Sequence, residues 1–175
     1  MRLKIELESA VESMAIVRAN VRQMGRIHAL DEPVIEDLVT AISEACNNVV
    51  LHAYPERTGT FVLLLSIGES SIQAEIRDCG RGARTLASSG NGLGLGVALI
   101  RKLADTADFE SRPGSGMTVR MGFPRNNAGT PVSGQGLPEQ RKAASGGRSA
   151  ASWASWCNER SRVATRDGRL PVHPR

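Results

Sequence analysis

Thr60-Phe61-Val62-Leu63-Leu64-Leu65-Ser66-Ile67-Gly68-Glu69-Ser70-Ser71-Ile72-Gln73-Ala74-Glu75-Ile76-Arg77 is the stretch whose reading decides the fold. Thr60 to Ile67 and Ser71 to Arg77 are β-rich runs separated only by Gly68-Glu69-Ser70, so they predict an antiparallel hairpin. An adjacent hairpin disfavours a parallel, doubly wound sheet.

Working outward, Arg2 to Glu8 alternates strictly, with Leu3, Ile5 and Leu7 on one face and charged side chains on the other, the period of a half-buried strand. From Ser9 the period becomes helical through Val11, Met14, Ala15, Val17, Val21 and Met24, with Ser9 and Glu12 predicted as a capping box and the end near Gly25 to Ala29. A second helix is predicted from Asp31, with Pro33 in its first turn and an apolar face of Ile35, Leu38, Ile42, Ala45 and Val49, stopping at Tyr54-Pro55. Beyond the hairpin, residues 78–93 have no usable period. Gly94 to Ala104 then reads as a third amphipathic helix, and Asp108 to Ser111 and Met117 to Phe123 as strands joined by a turn over Arg112 to Gly116. Five strands and three amphipathic helices within 124 residues predict an α/β (α+β) two-layer sandwich, its mixed, largely antiparallel sheet covered on one face by the helices.

The chain has 175 residues and a formal charge of +4, but the charge is unevenly placed. Residues 1–124 hold 13 basic and 15 acidic side chains; residues 125–175 hold 9 and 3, so the basic character belongs to the tail and disfavours a folded nucleic-acid-binding module. In that tail Gly, Pro and Ser make up 16 of 51 residues and Val and Leu only five, too little apolar surface to offset a backbone entropy cost of roughly 1–2 kcal/mol per ordered residue. The expected organisation is a domain over 1–124 and a disordered, basic, low-complexity tail over 125–175. No apolar run is long enough to span a membrane and no signal-peptide pattern leads the chain, so a cytoplasmic, membrane-free protein is expected. Cys46, Cys79 and Cys157 show neither metal-ligand spacing nor a disulfide framework and are expected to be reduced thiols.

Three constellations carry chemistry. Glu44, Asn48 and His52 recur every fourth residue of the second predicted helix and form one polar stripe beside its core face. An Asn carbonyl is a neutral hard ligand suited to Mg²⁺ shared with phosphates, and a carboxylate one turn away can orient or deprotonate a nucleophile. Asp78-Cys79-Gly80-Arg81-Gly82 ends the hairpin, where the glycines permit a sharp turn and the carboxylate can accept a hydrogen bond from an exocyclic amine. Gly90-Asn91-Gly92-Leu93-Gly94-Leu95-Gly96-Val97 runs into the third helix, so backbone N–H groups and the helix N-terminus converge on an anion, for which phosphate is the natural guest. The spacing matches neither a dinucleotide fingerprint nor a P-loop.

In this order the three constellations resemble the N, G1 and G2 boxes of the GHKL ATPases. Within that superfamily, Ser43-Glu44-Ala45-Cys46-Asn47-Asn48-Val49-Val50-Leu51-His52-Ala53-Tyr54 looks most like the bacterial anti-sigma factor serine kinases, and Gly116-Met117-Thr118-Val119-Arg120-Met121 is similar to their closing strand. The resemblance covers residues 1–124. It implies ATP and Mg²⁺ as cofactors, Glu44 as general base for phosphoryl transfer to a serine, and Asn48 as the Mg²⁺ ligand. It also implies Asp78 on the adenine amine, Gly80 and Gly82 shaping that pocket, Gly92, Leu93, Gly94, Leu95 and Gly96 holding phosphates, and Thr118 facing the nucleotide.

The partners so implied are a sigma factor, an anti-anti-sigma substrate and a second copy in a homodimer. Two features depart from the family pattern: only Ala83 to Asn91 separate the glycine boxes, and Gly90 to Leu93 lack the arginine that many members carry. Either Arg81 or Arg84 reaches a phosphate in its place, or the γ-phosphate lacks its usual partner. Two other readings are an ATP-dependent sigma-binding module without useful kinase activity and the catalytic part of a sensor histidine kinase.

Overall fold

The computed structural model describes residues 1–55, 57–82, 93–111, 116–125 and 157. The strands are β1 (Arg2–Glu8), β2 (Thr60–Ile67), β3 (Ser71–Asp78), β4 (Thr106–Ser111) and β5 (Met117–Pro124); the helices are α1 (Ser13–Ile27), α2 (Glu32–Asn48) and α3 (Leu93–Leu103). They form one sheet of order β1-β2-β3-β5-β4, antiparallel at each pairing. The expected hairpin is its centre: Leu63 faces Ile76 and Ile67 faces Ile72.

The helices cover one face of this sheet. Phe61, Leu63, Leu65, Ile72, Ile76 and Met121 meet Val17, Val21, Ile35, Leu38, Ile42 and Ile100 in a single apolar core. Gly25 lets α1 close onto α2, since a Cβ there would overlap Ile35. On the other face Arg77 pairs with Glu75, and Arg120 reaches Glu75 (3.5 Å), Asp108 (3.4 Å) and Glu110 (3.2 Å), a charge ladder over three strands.

Local readings shift at the first helix. Ser9 is not its cap: its Oγ accepts the Gly59 N–H (2.8 Å) and its own N–H donates to Gly59 O, so the hydroxyl that would cap a helix pins the end of β1 to the entry of β2. Residues 9–12 turn instead, α1 starts four residues later than the apolar period suggests, and Val11 is exposed.

The chain forms two compact units, Met1–Pro131 and Val132–Arg175. Most of the region expected to be a disordered tail lies outside the described residues. Arg125 is described, and its guanidinium donates to Gly68 O (2.8 Å) and His28 O (3.1 Å). Cys46 is a buried free thiol, whereas Cys79 and Cys157 are disulfide-bonded. The expectation of three reduced cysteines is corrected for those two, because cysteine spacing along a sequence does not decide whether a thiol is oxidised.

Candidate functional site

On α2 the residues Ile35, Leu38, Ile42 and Ala45 point into the core, and Glu44 and Asn48, one turn apart, lie half-buried beside them. The α-helix ends at Asn48 and the chain continues as a π-helical turn over Val49–Ala53. Since that turn winds wider than an α-helix, the expected stripe carries Glu44 and Asn48 on one face but does not continue to His52 in α-helical register. His52 sits half-buried within the wide turn.

The end of β3 is held against this turn by glycines. A Cβ on Gly80 would overlap the carbonyl oxygen and Cβ of Ala53, and the neighbouring Arg81 N–H donates to that same carbonyl (3.0 Å). Gly82 has φ 69, in the left-handed region that favours glycine. Tyr54 acts as a clamp, its hydroxyl donating to Thr60 O (2.7 Å) and accepting the Cys79 N–H (2.9 Å). Burial pushes its phenol up to about 12.

Asp78 is 3% exposed and shares the helix-facing side of the sheet with Ile76 and Phe61. Its Oδ1 accepts the Gly80 N–H (2.8 Å), and the Met117 N–H bonds it from β5. Burial raises the carboxyl from 3.8 to about 6, and those two N–H groups only partly offset the rise. Gly116, at φ 82, completes the wall: a Cβ there would strike the backbone of Asp78.

The third constellation meets the first directly. Gly96 is buried in α3 against Glu44, and a Cβ on Gly96 would occupy the position of the Glu44 carboxylate. Leu93, Gly94 and Leu95 form the first turn of α3 with it, and the first N–H groups of a helix have no partner within the helix, the arrangement that suits an anion. Leu95 is exposed; Gly92 and Arg84 lie outside the described residues.

Thr118 goes elsewhere. It pairs with Arg77, one residue out of step with the Ile76–Val119 pair that faces the core, so its side chain lies on the sheet face away from the helices. The backbone of the preceding Met117, not the threonine, reaches Asp78. Sequence reasoning missed Tyr54, Met117 and Gly116 as parts of the site. For Tyr54 a signal existed, since a buried tyrosine hydroxyl needs partners.

Glu44 and Asn48 thus lie on one half-exposed face of α2, Glu44 next to the first turn of α3, while Asp78 at the end of β3 is a buried carboxyl that accepts N–H donors. Among the described residues no group of three His, Cys, Asp or Glu could hold a metal ion by itself. The set suits a Mg²⁺ shared with phosphates and water, which needs only one or two protein ligands. The sequence profile described as the histidine kinase-like ATPase domain matches residues 7–123, which spans all these elements.

The chain belongs to the histidine kinase-like ATPase family. It is 31% identical over 136 residues to an anti-sigma F factor of Caldanaerobacter subterraneus, a match covering 69% of this chain and 90% of that one. It is 28% identical over 134 residues to the serine-protein kinase RsbW of Bacillus thuringiensis, covering 69% and 82%. Among solved structures it is similar to the RsbU and RsbW domains of a Mycobacterium tuberculosis protein, with a TM-score of 0.58 and 25% identity. That match covers 72% of this chain and spans a third, 33%, of the larger protein. Membership in the histidine kinase-like ATPases accounts for the antiparallel sheet with helices on one face. No described helix is long and apolar enough to cross a membrane.

Proposed function

We propose that this chain is a cytoplasmic ATP-dependent protein serine kinase that phosphorylates an anti-anti-sigma partner and holds a sigma factor when that partner is absent. The observation that carries the reading is the contact between Glu44 and Gly96, which sets a carboxylate at the mouth of a helix N-terminus. A base beside a phosphate cradle is what phosphoryl transfer to a hydroxyl requires. The similarity to an anti-sigma F factor and to serine-protein kinases supports the choice of partners.

ATP with Mg²⁺ supplies the γ-phosphoryl group and the neutralising charge. The residues around it do the positioning. Asp78 accepts from the adenine amine, and Gly80 packed on Ala53, Gly82, and Gly116 packed on the Asp78 backbone shape that pocket. Asn48 offers its carbonyl to Mg²⁺, and the N–H groups from Gly92 to Gly96 hold phosphate oxygens. Glu44 takes the proton of the attacking serine hydroxyl. Thr118, on the far sheet face, has no part in this assignment.

Radiolabel transfer from ATP to a purified anti-anti-sigma protein tests the reading, with Glu44→Gln as the control. The variant keeps the size and hydrogen bonding of the side chain but loses its basicity. ATP binding should stay nearly unchanged while transfer falls by about 10²–10⁴-fold. Complex formation with a sigma factor but no transfer by the wild type would instead favour a binding module, the reading to which the missing arginine between Gly90 and Leu93 points. Loss of ATP binding in Glu44→Gln would overturn the role given to Glu44.

A further inference from the structure

Cys79 stands between Asp78, the buried carboxyl of the site, and Gly80, which packs on Ala53, and it is disulfide-bonded. We propose that the thiol–disulfide state of Cys79 sets the affinity of this pocket for nucleotide, the disulfide favouring binding and its reduction by a dithiol weakening it. The proposal deepens the function given above and rests on ATP as the ligand of the Asp78 pocket.

The backbone at Cys79 is where that pocket is held together. The Cys79 N–H donates to the Tyr54 hydroxyl (2.9 Å), the Gly80 N–H to Asp78 Oδ1 (2.8 Å) and the Arg81 N–H to Ala53 O (3.0 Å). A Cβ on Gly116 would lie 2.8 Å from the Cys79 Cα, so the residue ahead of β5 packs directly on this run. Three consecutive N–H groups thus fix the turn on which the Asp78 carboxyl depends. A disulfide restricts the residue that carries it, so it limits the conformations open to this turn before a ligand arrives. Once the bond is reduced, nucleotide binding must supply the ordering that the bond had supplied. The constraint acts through the backbone, and the sulfur need not touch the nucleotide.

Two observations separate Cys79 from an inert structural cysteine. It is half-buried, whereas Cys46 is wholly buried and burial pushes its thiol well above the usual range. The second is the compartment proposed above: a reducing cytoplasm keeps most thiols free, and the disulfides found there are chiefly catalytic or redox-sensing. Reduction proceeds by exchange. A thiolate of the dithiol attacks the disulfide of Cys79, forms a mixed disulfide and expels one cysteine thiolate; the second thiol of the reductant then displaces the other. Both thiolates take up protons, so the chain gains two electrons and two protons and the dithiol leaves as its own disulfide.

Calorimetry of ATP binding to the full chain, oxidised and after reduction with dithiothreitol, tests this. Alkylation followed by mass measurement should count one free thiol, Cys46, in the oxidised chain and three after reduction. ATP affinity should fall by about fivefold or more on reduction and return on reoxidation. Without nucleotide, amide exchange at residues 79–81 should quicken on reduction. Cys79→Ser should bind ATP as weakly as the reduced wild type and show no response to dithiothreitol, while Cys46→Ala should respond as the wild type does. Affinities equal in the two states to within about twofold would overturn this proposal alone. A response to dithiothreitol that survives in Cys79→Ser, or three thiols that stay free under oxidation, would overturn it as well. Failure of both states to bind ATP would overturn the nucleotide reading of the site and this proposal with it.

Discussion

Replacing Asp78 by asparagine separates the cost of a buried charge from its use. The carboxyl ionises at about 6 in the fold rather than at 3.8, chiefly because it is buried. A shift of about two units corresponds to about 3 kcal/mol by which the folded state disfavours the charged form. The sign follows from proton counting. Between pH 4 and 6 the folded chain binds more protons at this site than the unfolded chain, so stability falls as pH rises through that window and stays lower above it. The substituted asparagine is neutral throughout and escapes this cost, but it has a single acceptor oxygen for the N–H groups of Gly80 and Met117. One donor is left facing an amide NH₂, a loss of about 1–3 kcal/mol.

At about pH 7.5 the two effects nearly balance, and D78N should be as stable as the wild type or up to about 2 kcal/mol more stable. At about pH 4 the wild-type carboxyl is protonated in the fold, the charge cost has gone, and the balance should move about 2–3 kcal/mol in favour of the wild type. Urea unfolding of both proteins across this range, without nucleotide, measures the change. Calorimetry at neutral pH should show ATP affinity reduced roughly five- to a hundredfold in D78N, because an amine then faces an amine. A stability difference that is flat with pH would refute the buried-charge argument. Normal ATP binding by D78N would refute the adenine contact.

Two further substitutions probe the walls of the site. Gly96→Ala adds a methyl where the Glu44 carboxylate now lies. Because a flexible side chain can give way and alanine suits a helix better by up to about 1 kcal/mol, thermal stability should hold or rise while phosphoryl transfer falls by about tenfold or more; unchanged transfer would show that the position of Glu44 is not critical. Tyr54→Phe leaves Thr60 O and the Cys79 N–H without their shared partner, and should cost about 1–3 kcal/mol in urea unfolding and weaken ATP binding. A loss within a few tenths of a kcal/mol would mean that the hydroxyl does not clamp the turn.

Period and punctuation alone determined the layout of elements. The alternation of Arg2 to Glu8, the short gap between Ile67 and Ser71, and the three-and-four spacing of Ile35, Leu38 and Ile42 depend only on where a side chain points from its own backbone. The strands, the hairpin and the helical layer were therefore legible before any contact was known. The ordered polar boxes were legible for the same reason, since Glu44 and Asn48 are neighbours on one helix and Asp78, Gly80 and Gly82 lie in one turn.

What only the tertiary structure decided involves groups distant in sequence. Ser9 could cap a helix or bind Gly59, and which donor it meets depends on how β1 is laid beside β2. The packing of Ala53 against Gly80 accompanies a π-helical turn at Val49–Ala53, which takes His52 out of the stripe that a regular helix would have continued. Thr118 falls on the far face because β5 enters its register with Met117 beside Asp78, and a step of one residue in a strand reverses every side chain. The meeting of Glu44 with Gly96 joins two motifs more than fifty residues apart through the packing of α2 on α3. Spacing along the chain conveys local direction, but a contact between remote segments exists only once the core has closed around both.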